Sequence, residues 1–110
     1  MASLNKIGKH KTSIYRGIVR VHGCLDYMGE GVAVTYYSTV VVSANAKYII
    51  LNTGGWYTVT TKRRMNQASR EFNLGYSVYQ KKGVWYVDYK NLTYEFKNDT
   101  IILTRDIYET

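Results

Sequence analysis

Residues 52–75 constrain this chain most, because there a pattern of strands gives way to a pattern of helix, and nowhere else in the 110 residues is that change convincing. Thr60 and Thr61 each carry a hydroxyl oxygen that can accept a bond from an unpaired first-turn N–H, and Gly75 supplies the positive φ that commonly closes a helix. The bracketed stretch predicts a helix over residues 61–73, about three to four turns long. At 100° per residue Met65, Ala68 and Phe72 share one face of it. Lys62, Arg63, Asn66, Gln67 and Arg70 fall on the opposite face.

Everything around the helix reads as β-structure. Ile14, Ile18, Val19 and Val21 mark a strand from near Ser13, and Gly29-Glu30-Gly31 reads as a reversal after it. Residues 32–42 then form a second strand, or two short ones broken near Ser38. Residues 39–44 pair as a hairpin with 47–51 across Asn45-Ala46, and Tyr48-Ile49-Ile50-Leu51 has the continuous apolar run of a strand buried on both faces. Gly54-Gly55 is a reversal or a bulge, and Trp56-Tyr57-Thr58-Val59 keeps a strand pattern up to the helix. After the helix, residues 76–81 and 84–89 flank Lys82-Gly83, a two-residue loop suited to a tight turn. Asn91 and then Asn98-Asp99 reverse the chain into residues 92–96 and 100–103, so these C-terminal strands read as a four-stranded meander.

In residues 92–97 the apolar set Leu92, Tyr94 and Phe96 alternates with Thr93, Glu95 and Lys97, so one face of the sheet meets water. The helix covers the other through Met65, Ala68 and Phe72, with Leu74 as a closing contact. The expected fold is α+β, a mainly antiparallel sheet of about five to seven strands with one principal helix packed on one face. Residues 1–11 read as a flexible basic arm and residues 12–110 as a single domain, long enough to hold a core without metal or disulfide.

Fifteen Lys and Arg against eight Asp and Glu leave a formal charge of +7, a field that attracts polyanions. The positive residues concentrate in two stretches, 6–20 and 62–70. No apolar run approaches the roughly 20 residues that span a bilayer, so a membrane partner is not expected.

Groups for chemistry are few. His10, His22 and Cys24 all lie in the first 24 residues, and they lack zinc-ligand spacing. Gly54-Gly55 lacks the Lys-Ser/Thr ending of a phosphate loop, and no paired carboxylates have metal-ligand spacing. The chain is therefore expected to be a non-enzyme, with no metal and no small-molecule cofactor.

The runs Leu51-Asn52-Thr53-Gly54-Gly55-Trp56, Thr60-Thr61-Lys62-Arg63-Arg64-Met65-Asn66-Gln67, Leu74-Gly75-Tyr76-Ser77-Val78-Tyr79-Gln80-Lys81 and Trp85-Tyr86-Val87 resemble a small family of bacteriophage proteins of unknown function. A Tyr-x-x-Thr-x-Val-Val strand precedes the glycine pair in that family, and Tyr36, Thr39, Val41 and Val42 match it here. The resemblance covers residues 36–96 and leaves residues 1–31 outside. It implies viral origin and action in the host cytoplasm, and it transfers no catalytic or binding residue.

The helix face is the strongest functional candidate. Lys62 and Arg63 sit in the first turn of the expected helix, where the macrodipole disfavours cations, so helix stability does not explain them and an anion would. Lys62, Arg63, Arg64, Asn66, Gln67 and Arg70 together offer ammonium, guanidinium and amide groups of the kinds that read phosphates and base edges. The expected function is non-specific nucleic-acid binding through this face. The alternative is a phage-encoded anti-defence inhibitor whose tyrosine-rich surface docks a host immune protein.

Overall fold

The computed structural model describes residues 12–20 and 28–105. The basic arm expected at residues 1–11 lies outside the described residues, as do His10, His22 and Cys24. Among the described residues eight strands and one helix form: β1 (Thr12–Arg20), β2 (Met28–Tyr36), β3 (Thr39–Asn45), β4 (Tyr48–Asn52), α1 (Val59–Glu71), β5 (Tyr76–Lys81), β6 (Val84–Tyr89), β7 (Leu92–Glu95) and β8 (Thr100–Thr104). The fold is α+β and mainly sheet, as expected, with one strand more than the upper expectation. All pairings are antiparallel, in a larger sheet of order β1-β2-β3-β4-β8 and a smaller one of order β5-β6-β7.

The expected reversal at Gly29-Glu30-Gly31 is absent. These residues run inside β2, opposite β1 and, at Gly31, opposite Asn45 of β3. A Cβ on Gly31 would lie 1.9 Å from the Ala44 carbonyl oxygen, so the glycine is there for close approach of two backbones rather than for a turn. The break near Ser38 is real: Tyr37, at φ 58°, turns the chain from β2 into β3. A register shift follows, because Val34 faces Val42 while Thr35 faces Val40. The bulge turns both Val41 and Val42 into the core, which explains the unbroken valine run. β3 and β4 form the expected hairpin, closed by the Asn45 side-chain oxygen, which accepts from the backbone N–H groups of Lys47 and Tyr48 at 2.9 Å each.

The C-terminal strands do not form a four-stranded meander. Lys82-Gly83 and Lys90-Asn91, all at positive φ, make two tight turns that join β5, β6 and β7. β8 then leaves that sheet and pairs with β4, Ile101 opposite Leu51 and Leu103 opposite Ile49. The helix and the small sheet are thus an insertion between two neighbouring strands of the larger sheet. Alternation alone does not reveal this, since β8 has the same period of two wherever it pairs. Leu92, expected in the core, is exposed, whereas Phe96 is buried against Trp85.

The helix starts earlier than its sequence signals suggest. Thr58 is the N-cap, its hydroxyl accepting from Thr61 N–H at 3.2 Å, so Thr60 and Thr61 are helical and Trp56–Val59 forms no strand. At the other end Asn73, at φ 56°, takes the left-handed position expected of Gly75. Leu74 N–H then reaches back to the Ser69 carbonyl at 2.8 Å, a Schellman closure. Met65, Ala68 and Leu74 join Val34, Val42, Ile49, Leu51, Val87 and Leu103 in one core shared by both sheets. Each fully buried large side chain there contributes about 1.5–3 kcal/mol of transfer free energy. Phe72 is only partly buried and carries the Arg16 guanidinium over its ring at 4.9 Å.

Candidate nucleic-acid interface

Strand β5 is the edge of the small sheet, and α1 lies along that edge. The Asn66 side chain donates to the Val78 carbonyl at 2.9 Å and accepts from Val78 N–H at 2.8 Å. One turn on, the Ser69 hydroxyl donates to the Tyr76 carbonyl at 2.7 Å and accepts from Tyr76 N–H at 3.0 Å. Residues three apart on a helix thereby satisfy residues two apart on a strand, replacing the hydrogen bonds a further strand would make. The Tyr76 hydroxyl adds a bond to the Met65 carbonyl at 2.6 Å, and burial pushes its phenol far above the ordinary value of 10.0.

Alongside this seam runs a groove of about 470 Å³ lined by Lys62, Arg63, Asn66, Arg70, Tyr79 and Gln80, with no carboxylate in its lining. The Lys62 ammonium donates to the Gln80 side-chain oxygen at 3.2 Å and lies 5.4 Å from the centre of the Trp85 ring. Arg63 and Arg70 are exposed, and no hydrogen bond or ion pair holds either guanidinium among the described residues. Their separation of seven residues puts them on one face, about 10 Å apart along the axis.

The residues expected to form the binding face do not all stay there. Arg64 is buried: its Nε donates to the Thr12 hydroxyl at 3.0 Å, its Nη1 to the Gln67 side-chain oxygen at 3.3 Å, and its guanidinium lies over Tyr36. It ties the helix to β1 and β2, and Gln67 is engaged in holding it. Asn66 is committed to Val78. The earlier helix start also moves Lys62 and Arg63 from the first turn into the second, where the macrodipole penalty has largely faded, and Arg70 sits in the last turn, where a cation is favoured. Lys62, Arg63 and Arg70 remain as the cations of the groove.

The family model of the Kyanoviridae Gp96 protein matches residues 6–103. The chain belongs to that phage protein family. The match begins well before Tyr36, so β1 and β2, which the motif resemblance leaves out, belong to the family's common region along with the helix, the groove and both sheets. No curated protein and no solved structure matches the chain.

Tyr79 and Gln80 line the groove from β5, a contribution that helix periodicity cannot show. The alternation of β5 does put Tyr79 on the solvent face, where it stacks on Tyr86 at 5.6 Å and donates to Asp88 at 3.0 Å. A second surface feature escapes the strand reading of residues 56–59. Trp56 and Val59 are 56% and 62% exposed at the start of the helix, next to Tyr57, whose ring meets Trp85 edge-on at 5.0 Å. Among the described residues no cluster of His, Cys, Asp or Glu offers a metal site, and no helix is long and apolar enough to cross a membrane.

Proposed function

We propose that this phage protein binds nucleic acid without sequence preference, through the groove between α1 and β5. The observation that carries the reading is the pair of exposed, unengaged guanidiniums, Arg63 and Arg70, set with Lys62 in a groove whose lining has no carboxylate. Their roughly 10 Å axial spacing lets the two guanidiniums take separate phosphates of one strand. Each guanidinium can hold a phosphate by a bidentate contact, while Lys62, braced by Gln80, acts as a point charge. The amide groups that would have read base edges, Asn66 and Gln67, are spent inside the protein, which supports a phosphate reader over a sequence reader. The net charge of +7 adds long-range attraction.

Titrating labelled single- and double-stranded DNA and RNA by fluorescence anisotropy tests this. Affinity on the order of 10⁻⁴ to 10⁻⁶ M at physiological salt is expected, falling linearly in log–log with salt and similar across sequences. Absence of binding at low salt refutes it.

The exposed Trp56 and Val59 favour a second reading, an anti-defence inhibitor that docks a host immune protein in the host cytoplasm. Exposed aromatic anchors are typical of protein interfaces. That reading expects a tight 1:1 complex with one bacterial protein, lost on Trp56→Ala and insensitive to charge reversal at Arg63 and Arg70.

A further inference from the structure

The two walls of the α1–β5 groove differ in chemistry. Its cations, Lys62, Arg63 and Arg70, all come from α1, whereas β5 contributes Val78, Tyr79 and Gln80, none of them charged. Tyr79 is held in place on that uncharged wall. It sits directly opposite Tyr86 in the register, stacks on the Tyr86 ring at 5.6 Å and 28°, and donates its hydroxyl to Asp88 at 3.0 Å. Tyr86 lies on the β6 side of β5 and α1 lies on the other side, so the ring face that Tyr86 leaves uncovered looks into the groove.

Phosphate binding accounts for the cations and leaves this ring unused. We infer that the groove takes a single strand of nucleic acid, its phosphates along α1 and a base stacked on Tyr79, an inference that rests on the phosphate-binding reading above. In a single strand the backbone and the bases can lie side by side, one on each wall, and an unpaired base has a π-face free to stack. In a duplex the neighbouring pairs cover those faces, so a base reaches Tyr79 only by unstacking.

The surroundings of the ring agree. Asp88 accepts from the hydroxyls of both Tyr79 and Thr93 and is not part of the groove lining, so no carboxylate faces the strand's phosphates there. Val59, exposed where the helix begins, lines the groove and adds an apolar contact for a base or sugar. Every base has a π-face, so stacking keeps binding tolerant of sequence, as does the engagement of the Asn66 and Gln67 amides within the protein. Ring and guanidiniums serve DNA and RNA alike.

Anisotropy titrations of the full chain at about 50 mM salt test the inference, with labelled oligothymidylate, oligouridylate and a duplex carrying the same number of phosphates. Either or both single strands should bind at least about fivefold more tightly than the duplex, the comparison between them showing whether DNA or RNA is preferred. Tyr79→Ala should weaken single-strand binding about 5- to 150-fold, the range measured for loss of one base–aromatic stack, and leave the salt slope unchanged because no charge is removed. Tyr79→Phe keeps the ring without the hydroxyl and should bind within about twofold of wild type. Tyr79→Leu keeps bulk without a π-face, should weaken binding as Ala does, and serves where melting curves show that Tyr79→Ala does not fold. A duplex bound as tightly as both single strands, a folded Ala or Leu variant that binds as wild type does, or a folded Phe variant as weak as these would overturn the inference and leave phosphate binding standing. No binding of any of the three nucleic acids would overturn both.

Discussion

Replacing Asn66 by Ala separates the structural role of the helix from its binding role. The substitution removes two hydrogen bonds to Val78, of 2.9 and 2.8 Å, and leaves a backbone N–H and carbonyl on the part-buried edge of β5 without partners. Two bonds at about 0.5–1.5 kcal/mol each, plus about 1 kcal/mol for the stranded groups, give a loss of about 2–4 kcal/mol. With an unfolding entropy of about 2.1 cal/mol/K per residue, 110 residues amount to about 0.23 kcal/mol/K, so Tm should fall by about 9–17 °C. Asn66→Asp keeps the acceptor for Val78 N–H but loses the donor, and should destabilise as well. Thermal unfolding followed by circular dichroism reads all three proteins. Asn66→Ala with a Tm within about 2 °C of wild type and lost nucleic-acid binding would refute the reasoning, and would return Asn66 to the ligand.

Arg64→Ala should cost about 2–3 kcal/mol, through the bonds to Thr12 and Gln67 and the packing on Tyr36, and leave the salt dependence of nucleic-acid binding unchanged. Chemical denaturation and anisotropy titrations check the two halves. Gly31→Ala should destabilise by about 3 kcal/mol or fail to fold, because its Cβ meets the Ala44 carbonyl at 1.9 Å, and urea unfolding measures it. Tyr76→Phe should cost only about 0.5–1.5 kcal/mol at neutral pH, since the Met65 carbonyl keeps its helical partner. Burial holds the folded Tyr76 phenol above its unfolded value of 10.0, so the stability it confers is complete below pH 10 and lost above it. The unfolded chain then releases a proton that the folded one keeps, at about 1.4 kcal/mol per pH unit. Denaturation from pH 9 to 11 should show that slope reduced in Tyr76→Phe.

The strands and the helix were legible because each rests on local chemistry. The period of two in Tyr76 to Tyr89, the Lys82-Gly83 loop and the Asn45 turn depend on neighbours in sequence. What escaped the sequence depends on neighbours in space. Gly31 looks like punctuation until β3 comes within contact of it, and β8 looks like the next strand of a meander until β4 proves the better partner. Helical periodicity put Lys62, Arg63 and Arg70 on the outward face, where Arg63 and Arg70 are exposed and Lys62 is half-buried against Gln80 and Trp85. It could not show that Asn66 is taken up by the edge of β5, nor that Arg64, named with the binding residues for its charge, turns inward to Thr12, because a 100° step says which side a residue faces and nothing about a strand edge or a threonine waiting there. The choice of Thr58 over Thr60 as the cap turned on a hydroxyl that any of three threonines supplies.

The central claim is that phosphates bind the groove of α1 through Arg63 and Arg70. The direct measurement compares the salt dependence of DNA binding for wild type and for the double variant Arg63→Glu, Arg70→Glu, with melting curves to confirm that both fold, since exposed surface changes shift stability by only about 0.5 kcal/mol each. If the account holds, the variant binds every sequence more weakly and the magnitude of its log–log salt slope falls by about two units, one for each lost phosphate contact. A folded variant whose affinity and slope equal those of wild type would contradict it.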